Sequence, residues 1–430
     1  MIGGFWIVEQ AVVKRAPLTF GQLSLWRSVQ GLAPEAYNLT EVWRVPAGLA
    51  LGSVEGALEV LERRHEGLRT RFEPGGGLGL GQAVWGPAPV RLEVVEAGGD
   101  PDGAAYAVAG GLAVRGFDLA VDRPWRACAV VVGGACARLV VCFHHIAVDA
   151  WSLGQLRAEF LALAGGGALP GTAPGACALA AEQWSAAGRD RRDAAGRFWR
   201  AILESAPAMD REAAPGPLST RWARLACDEA REAAGRVAAR VLASVPSVVL
   251  AAFCLALGRR TGQGKLLVAV YFSNRGDPRW RSLVASQDQV VPLVVTLHPG
   301  EDFGALVSRV HRDSFRAYRH GAYNVDEVHE LGARHGYSGS VNGAFEGSVS
   351  GFFRYFFNYL GPGQPGQAPR SGRLATGAAG RNIGAPLYLQ AQDGKTLACT
   401  LRENSAGTGF DNVTGLVCLL MDIIRAAGGK

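Results

Sequence analysis

The side chains able to do chemistry gather in one stretch, Cys142-Phe-His-His-Ile-Ala-Val-Asp-Ala-Trp-Ser152. A neutral imidazole accepts a proton from an attacking amine or hydroxyl near neutral pH, which few other side chains do unperturbed. His144 and His145 are adjacent, and Asp149 follows in a turn that should fold back beside them. Leu139 to Phe143 is apolar and β-rich and reads as an interior strand, while Ser152 with Gln155 forms a capping-box pattern for a helix whose apolar face is Leu153, Leu156, Phe160 and Leu163. The histidines thus sit at a strand end on the turn into a helix, where flanking elements hold a side chain still against a cleft. A His pair in the core, with Asp149 merely capping the helix, is the other reading of the same residues. Metal binding is weaker, because adjacent histidines do not easily converge on one ion and no third ligand is spaced nearby.

The rest of the chain must supply a scaffold for that turn. At roughly 100–200 residues per domain, 430 residues allow two to four domains. Hydrophobic residues at 48% and charged residues at 19% exclude a disordered, collagenous or coiled-coil protein. Of the basic residues only Lys14, Lys265, Lys395 and Lys430 are lysines, which with the Gly and Ala content points to a GC-rich coding sequence such as that of a high-GC bacterium. The net charge of +6 contains no Lys/Arg run of the kind that marks a nucleic-acid patch, so a mildly basic surface suited to an acidic protein partner is expected. The eight cysteines are spread without any CxxC pair and read as small core residues in a reducing compartment. The start lacks a basic region before its apolar part and is broken by Glu9, unlike a secretory signal. The longest uncharged apolar run, Leu242 to Gly258, contains Ser244, Pro246 and Ser247 and is short for a bilayer span of roughly 20 residues. A buried helix starting near Pro246, a cytoplasmic location and no membrane association follow.

The first half alternates strand and helix patterns: a strand at Asn38 to Val45, a helix at Val54 to Arg64, then Arg69 to Phe72 leading into a Gly-rich hairpin loop at Gly75 to Gly81. That loop lacks the following apolar helix of a dinucleotide fingerprint, and Gly394-Lys395-Thr396 lacks the upstream Gly of a phosphate loop, since position 389 is Leu. Composition shifts at Gly165 to Ala176 and at Ala206 to Ser219, with a polar helix Ala178 to Leu203 between them as a bridge. The second half reads as a buried helix Val248 to Leu257, strands Leu266 to Phe272 and Gln289 to Leu297, a helix Phe303 to Tyr318, a strand Tyr355 to Tyr359 and a terminal helix Val413 to Arg425. Two α/β lobes result.

His144-His145-Ile146-Ala147-Val148-Asp149-Ala150 resembles the HHxxxDG signature of the condensation domains of non-ribosomal peptide synthetases. Upstream, Leu18-Thr-Phe-Gly-Gln22-Leu-Ser-Leu25-Trp26 resembles that family's opening motif, and Arg64-His65-Glu66-Gly67-Leu68-Arg69-Thr70-Arg71-Phe72 its second. Downstream, Glu182-Gln183-Trp184 with Phe198-Trp199 is similar to its inter-lobe helix region. HHxxxD alone is shared with epimerisation domains and several acyltransferases, whereas three motifs in order are specific, and the resemblance covers nearly the whole chain. It implies an α/β (α+β layered) fold of two chloramphenicol-acetyltransferase-like lobes, residues 1–208 with the histidine motif and bridging helix and residues 209–430, forming a pseudo-dimer around a central tunnel.

By the same resemblance the catalytic signature is His145, His144 and Asp149, with His145 placed to hydrogen-bond the acceptor nucleophile and take its proton. A free α-amine, with a pKa of about 8, is already partly neutral at pH 7, so proton removal matters more for a hydroxyl. Asp149 is expected to form a structural ion pair with Arg275 of Asn274-Arg275-Gly276, contributed by the second lobe, and Ala150, Trp151 and Ser152 to line the tunnel. No metal and no permanently bound cofactor are implied. Phosphopantetheine arms of acyl or peptidyl carrier proteins bring an acyl or aminoacyl thioester to an amine, with ester formation as a variant, and a monomer is expected. The chain departs from the pattern at Ala150, where the family usually has Gly, at Gln289-Val-Val-Pro292, where an Asn is expected, and in the middle of Arg319-His320-Gly-Ala-Tyr323. These departures suggest specialised substrate contacts in the second lobe. The rival readings are a coenzyme-A-dependent acyltransferase of the same fold, an epimerisation domain, and a non-catalytic recruitment module, the last of which would be expected to lose the second histidine.

Overall fold

The computed structural model describes residues 11–30, 32–73, 80–207, 220–337, 349–361, 371–378, 385–404 and 412–429. They fall into two compact units, Met1–Arg189 with Arg275–Asp288, and Asp190–Asn274 with Gln289–Lys430. The boundary expected at 208/209 is a single cut along the chain, whereas the first of these units takes back a later segment. Arg275 therefore counts with the histidine motif and not with the other half of the chain.

The first unit runs β1 (Val12–Pro17), α1 (Phe20–Val29), β2 (Asn38–Leu49), α2 (Leu51–Arg64), β3 (Thr70–Glu73), β4 (Gly81–Trp85), β5 (Glu93–Glu96), α3 (Pro101–Ala113), β6 (Trp125–Val132), β7 (Ala135–His144), α4 (Ala150–Ala164) and α5 (Ala176–Trp184). Its main sheet has the order β2-β7-β6-β5, antiparallel except for the parallel β5/β6 pair. β7 is interior and apolar without interruption from Leu139 to Phe143 because both of its faces are covered. Side chains alternate across a strand. Val140 and Cys142 accordingly pack with Ala105, Leu112 and Phe117 on one side, and Leu139, Val141 and Phe143 with Trp43, Leu58, Leu61 and Phe160 on the other. A smaller antiparallel sheet, β1-β4-β3, holds the strands flanking the Gly-rich loop, paired from Glu73↔Gly81 onward; residues 74–79 of that loop lie outside the described residues.

Local hydrogen bonds explain the upstream motifs. Thr19 Oγ1 accepts from Gln22 N and Gln22 Oε1 accepts from Thr19 N, a capping box that starts α1. Gln183 Oε1 accepts from Phe20 N, Trp184 Nε1 donates to the Leu18 carbonyl, and the rings of Phe20 and Trp184 meet edge to face at 5.3 Å. The opening motif and the Glu182-Gln183-Trp184 motif are thus one packing unit.

Two expected elements are corrected. The bridge helix is broken: α5 ends at Trp184 and α6 (Ala186–Ser205) follows, because Ser185 is extended and its Oγ accepts from Gly188 N at 3.0 Å. The capping box at Ser152 is absent; α4 begins earlier, with Asp149 as its N-cap.

Within α6 the chain passes from the first unit to the second. The second unit continues with β8 (Thr220–Cys227), α7 (Asp228–Arg240), α8 (Val245–Thr261), β9 (Lys265–Phe272), β10 (Gln289–Thr296), α9 (Phe303–Tyr318), α10 (Val325–Arg334), β11 (Tyr355–Leu360), β12 (Leu374–Ala378), β13 (Leu387–Asp393), β14 (Leu397–Asn404) and α11 (Val413–Gly428). Seven strands form one sheet in the order β10-β9-β11-β13-β14-β8-β12. α8 carries Pro at its first turn, ends at Gly262 with φ 71°, and is buried nearly all round, as its uniformly apolar sequence requires. No single helix among the described residues is long and apolar enough to cross a membrane.

The segment Arg275–Asp288 lies against glycine backbone of its own unit. A Cβ on Gly21 would stand 2.5 Å from the Ser286 carbonyl oxygen, and one on Gly67 2.3 Å from that of Val284. Gly21→Ala and Gly67→Ala should therefore each destabilise the protein by about 1–3 kcal/mol through overpacking against backbone. Gly56→Ala on the open face of α2, with nothing near its added Cβ, should stabilise it by about 0.4–1 kcal/mol. Chemical denaturation reads all three, and no loss at Gly21 and Gly67 would contradict the close approach.

Candidate active site

The histidine turn is fixed by its apolar middle. Ile146, Ala147 and Val148 are fully buried, and Ala147 and Val148 belong to the core of the first unit. Backbone bonds from Ala147 N to His144 O and from Val148 N to His145 O fold the turn, while His144 N donates to Pro124 O and His145 N to Tyr37 O. The chain is thereby pinned at both histidines before α4 begins.

The two imidazoles are not equivalent. His144 is buried, with the ring of Phe117 edge-on at 6.2 Å, and its Nδ1 accepts from the Ile146 N–H at 3.2 Å. Burial, reinforced by neighbouring His145, pushes its pKa down to about 3. It is a neutral ring whose proton resides on Nε2, since Nδ1 is occupied as an acceptor. His145 is half-buried, its ring centroid 6.2 Å from that of Tyr37, and its Nδ1 is buried without a hydrogen-bond partner among the described residues. An unmet buried polar atom costs about 1–3 kcal/mol, which a bound water or substrate group relieves.

Asp149 does two structural jobs. Its Oδ1 accepts from Ser152 N at 2.8 Å, capping α4. Arg275 Nη2 donates to both carboxylate oxygens, at 2.8 and 2.7 Å, and Gln287 N donates to Oδ2 at 3.2 Å. The ion pair and the helix cap, alternatives at the level of sequence, coexist. The pair is buried, and Arg275 also donates to Ser152 Oγ and to the carbonyls of Trp280, Leu283 and Ala285.

The neighbouring residues separate by exposure. Ala150 and Trp151 are exposed, Trp151 by 49% with its Nε1 donating to Arg281 O. Ser152 is fully buried, its hydroxyl engaged with Ala285 O and Arg275. Ala150 opens α4 without a positive φ, so nothing at that position demands glycine. Gln289, standing where an Asn was expected, donates from Nε2 to Tyr323 O, and Tyr323 donates from its hydroxyl to Val290 O. Both residues are buried, so Gln289 and Tyr323 form one structural lock inside the second unit.

Two arrangements escaped the sequence reading. His65, in the second motif, is buried with Nε2 2.6 Å from Glu159 Oε2, and Gln155 links that carboxylate to Ser282 O. Asp288 is half-buried, and desolvation raises the pKa of its carboxyl, an effect opposed by His145 and reinforced by Asp149. It is the only acid between Arg281 and Glu301, the one signal that could have marked it. Among the described residues no group of three or more His, Cys, Asp or Glu side chains is placed to hold a metal ion.

Comparison with known proteins places this site in a family context. Residues 12–344 match the family described as condensation domain. The AMB antimetabolite synthetase AmbB of Pseudomonas aeruginosa is 30% identical over 344 residues, 75% of this chain and 27% of that protein. The phosphinothricin tripeptide synthetase PhsC of Streptomyces viridochromogenes is 29% identical over 315 residues, 68% of this chain and 29% of that protein. The chain thus matches under a third of the length of either relative. Among solved structures, the condensation domain of the monacolin K polyketide synthase MokA superposes with a TM-score of 0.78 at 20% identity, covering 98% of both chains.

Removing one partner of the buried pair strands the other charge, so Asp149→Ala and Arg275→Ala should each cost about 3–5 kcal/mol. The double variant should lose clearly less than the sum, because no charge is then stranded; additivity in urea denaturation would contradict the coupling. His144 gives a pH signature. Its folded pKa of about 3 lies below the unfolded value of 6.5, so the unfolded chain binds the extra proton in that window and stability falls as pH drops from 6.5 towards 3. His144→Asn should reduce the slope of stability against pH there by roughly one proton, and an unchanged slope would contradict a neutral buried His144.

Proposed function

Because the chain belongs to the condensation-domain family, whose members are acyltransferases that form amide bonds, we propose that it transfers an acyl or aminoacyl group from a carrier-bound thioester to an amine, with His145 meeting the acceptor. Its mixed α/β architecture is of the chloramphenicol-acetyltransferase-like type shared by its structural neighbours. One observation carries the assignment to His145. Of the three polar residues in the signature, Asp149 is consumed by internal hydrogen bonds and His144 is a buried neutral ring tied to the Ile146 amide, while His145 keeps a buried ring nitrogen without a hydrogen-bond partner among the described residues.

The amine lone pair attacks the thioester carbonyl carbon, and an N–H proton passes to the His145 imidazole as the carbon–nitrogen bond forms. The tetrahedral intermediate collapses, the carbon–sulfur bond breaks, and the departing thiolate recovers that proton. Amide and free thiol are the products, with no net change in the enzyme. A hydroxyl acceptor follows the same course to an ester and depends more on the base, because its proton is held more tightly.

The acyl group arrives on the phosphopantetheine arm of a carrier protein, a substrate carrier and not a resident cofactor, and a second carrier holds the acceptor. Ala150 and Trp151, exposed at the start of α4, are the residues of that stretch available to contact a bound arm. The net charge of +6, with arginine as its main source, offers a planar guanidinium partner to acidic carrier surfaces.

His145→Ala should lower amide formation by roughly 10²–10⁴-fold while leaving the melting temperature unchanged. Mass spectrometry of loaded carrier proteins, with an amine acceptor and an alcohol acceptor in parallel and the same acyl group on coenzyme A as a control donor, measures it. A variant of near-full activity would remove His145 from the chemistry, and equal use of both donors at low salt would favour the coenzyme-A reading.

A further inference from the structure

We propose that the outer face of α9 is a docking surface for the acidic face of a carrier protein, with Phe315 as its apolar anchor and Arg312, Arg316 and Arg319 as its charged rim. This rests on the acyl-transfer reading above and names where that partner sits. The four residues fall at i, i+3, i+4 and i+7 and so form one stripe along the helix and its C-cap, and all four are exposed. The opposite face, with Leu306, Val307, Val310 and Ala317, is buried in the core of the second unit.

Two features separate this stripe from an ordinary solvated face. The first is Phe315, 55% exposed and the one phenylalanine among the described residues left so open to water. Its ring is packed on both sides: His311 meets it edge to face at 4.8 Å and Tyr318 at 5.8 Å, and Tyr318 is itself stacked on Phe272 at 4.4 Å. A ring already held in place loses little conformational freedom when a partner covers it, which is what an interface anchor requires. The second feature is charge of one sign. Arg312 is shared with Asp313 at 3.6 Å, whereas Arg316 and Arg319 have no ion-pair partner among the described residues. The Phe198 ring stacks on His320 at 4.8 Å and fixes that end of the helix against α6. Three guanidinium groups around one apolar ring call for a partner that presents carboxylates around a small apolar patch. A single ring offers too little apolar area to seat the helix on an anionic membrane, and a second copy of the stripe is repelled by like charge.

The test uses the full-length chain and two variants of the stripe, Phe315→Ser and the double variant Arg316→Glu with Arg319→Glu. A control, Arg91→Glu with Lys265→Glu, makes the same change in net charge at exposed positions elsewhere. Fluorescence anisotropy with a labelled carrier protein gives Kd as a function of salt, and mass spectrometry compares use of an acyl group on the carrier with the same group on free pantetheine. Each stripe variant should raise Kd and the carrier KM by roughly tenfold or more, and the double variant should also flatten the salt dependence. Preference for the carrier-bound over the free-arm thioester should fall by a similar factor. A Kd within about twofold of the parent in either stripe variant overturns the inference, as does a parent that binds no carrier at low salt. An equal loss in the control would reduce the effect to net charge, and an equal loss with free pantetheine would place the damage in the reaction site; both overturn it. Loss of binding to phosphatidylglycerol vesicles with carrier binding intact overturns it in favour of a membrane. A parent chain that binds carriers but makes no amide overturns the acyl-transfer reading instead, and Kd still decides the docking.

Discussion

The buried bond between Asp149 and Arg275 is the constraint around which the site is organised. Taking both charges out of water costs several kcal/mol per ion, and such a pair is tolerable only when its remaining donors and acceptors are met. Here the two Nη nitrogens of the guanidinium gather the carbonyls of Trp280, Leu283 and Ala285, and the carboxylate takes the N–H groups of Ser152 and Gln287, while Arg275 Nε is buried without a partner among the described residues. A loop with no regular structure beyond a short turn at Pro278–Trp280 thus acquires a fixed course around one side chain. Asn274, in the left-handed region at φ 53° with its amide holding Gly321 O, turns the chain immediately before Arg275.

That constraint divides labour among residues that look alike in sequence. Asp149 starts α4 and closes the loop, so its charge is spent on architecture. His144 is spent as well, a neutral ring buried at the end of β7 and tied to the Ile146 amide. His145, one residue further and pinned through its backbone to Tyr37, is left with an unmet ring nitrogen. An imidazole held by the main chain keeps its geometry without using its side chain for support, which suits proton transfer.

Much of this was legible in the sequence because it depends on local pattern. The uninterrupted apolar run of β7, the strand-to-helix turn, the helices at Phe303 and Val413, and the family resemblance all rest on periodicity or motif order. The rest depends on contacts between distant segments. The break at Ser185 rests on a serine hydroxyl capping the next helix, and the early start of α4 on an aspartate that serves as cap and ion-pair partner together. The return of Arg275–Asp288 to the first unit cannot be read from a linear boundary. Gln289, which stands where the family pattern has Asn, is a buried partner of Tyr323.

The central claim is that Asp149 serves structure and His145 serves chemistry. Its most direct test is the single-turnover rate of amide formation by Asp149→Asn, divided by the folded fraction measured under the same conditions. Asn keeps an oxygen to cap Ser152 N and to meet Arg275, so the account predicts a rate per folded molecule within roughly tenfold of the parent. A fall of a hundredfold or more in a fully folded Asp149→Asn protein would contradict it, placing the carboxylate charge in the reaction itself.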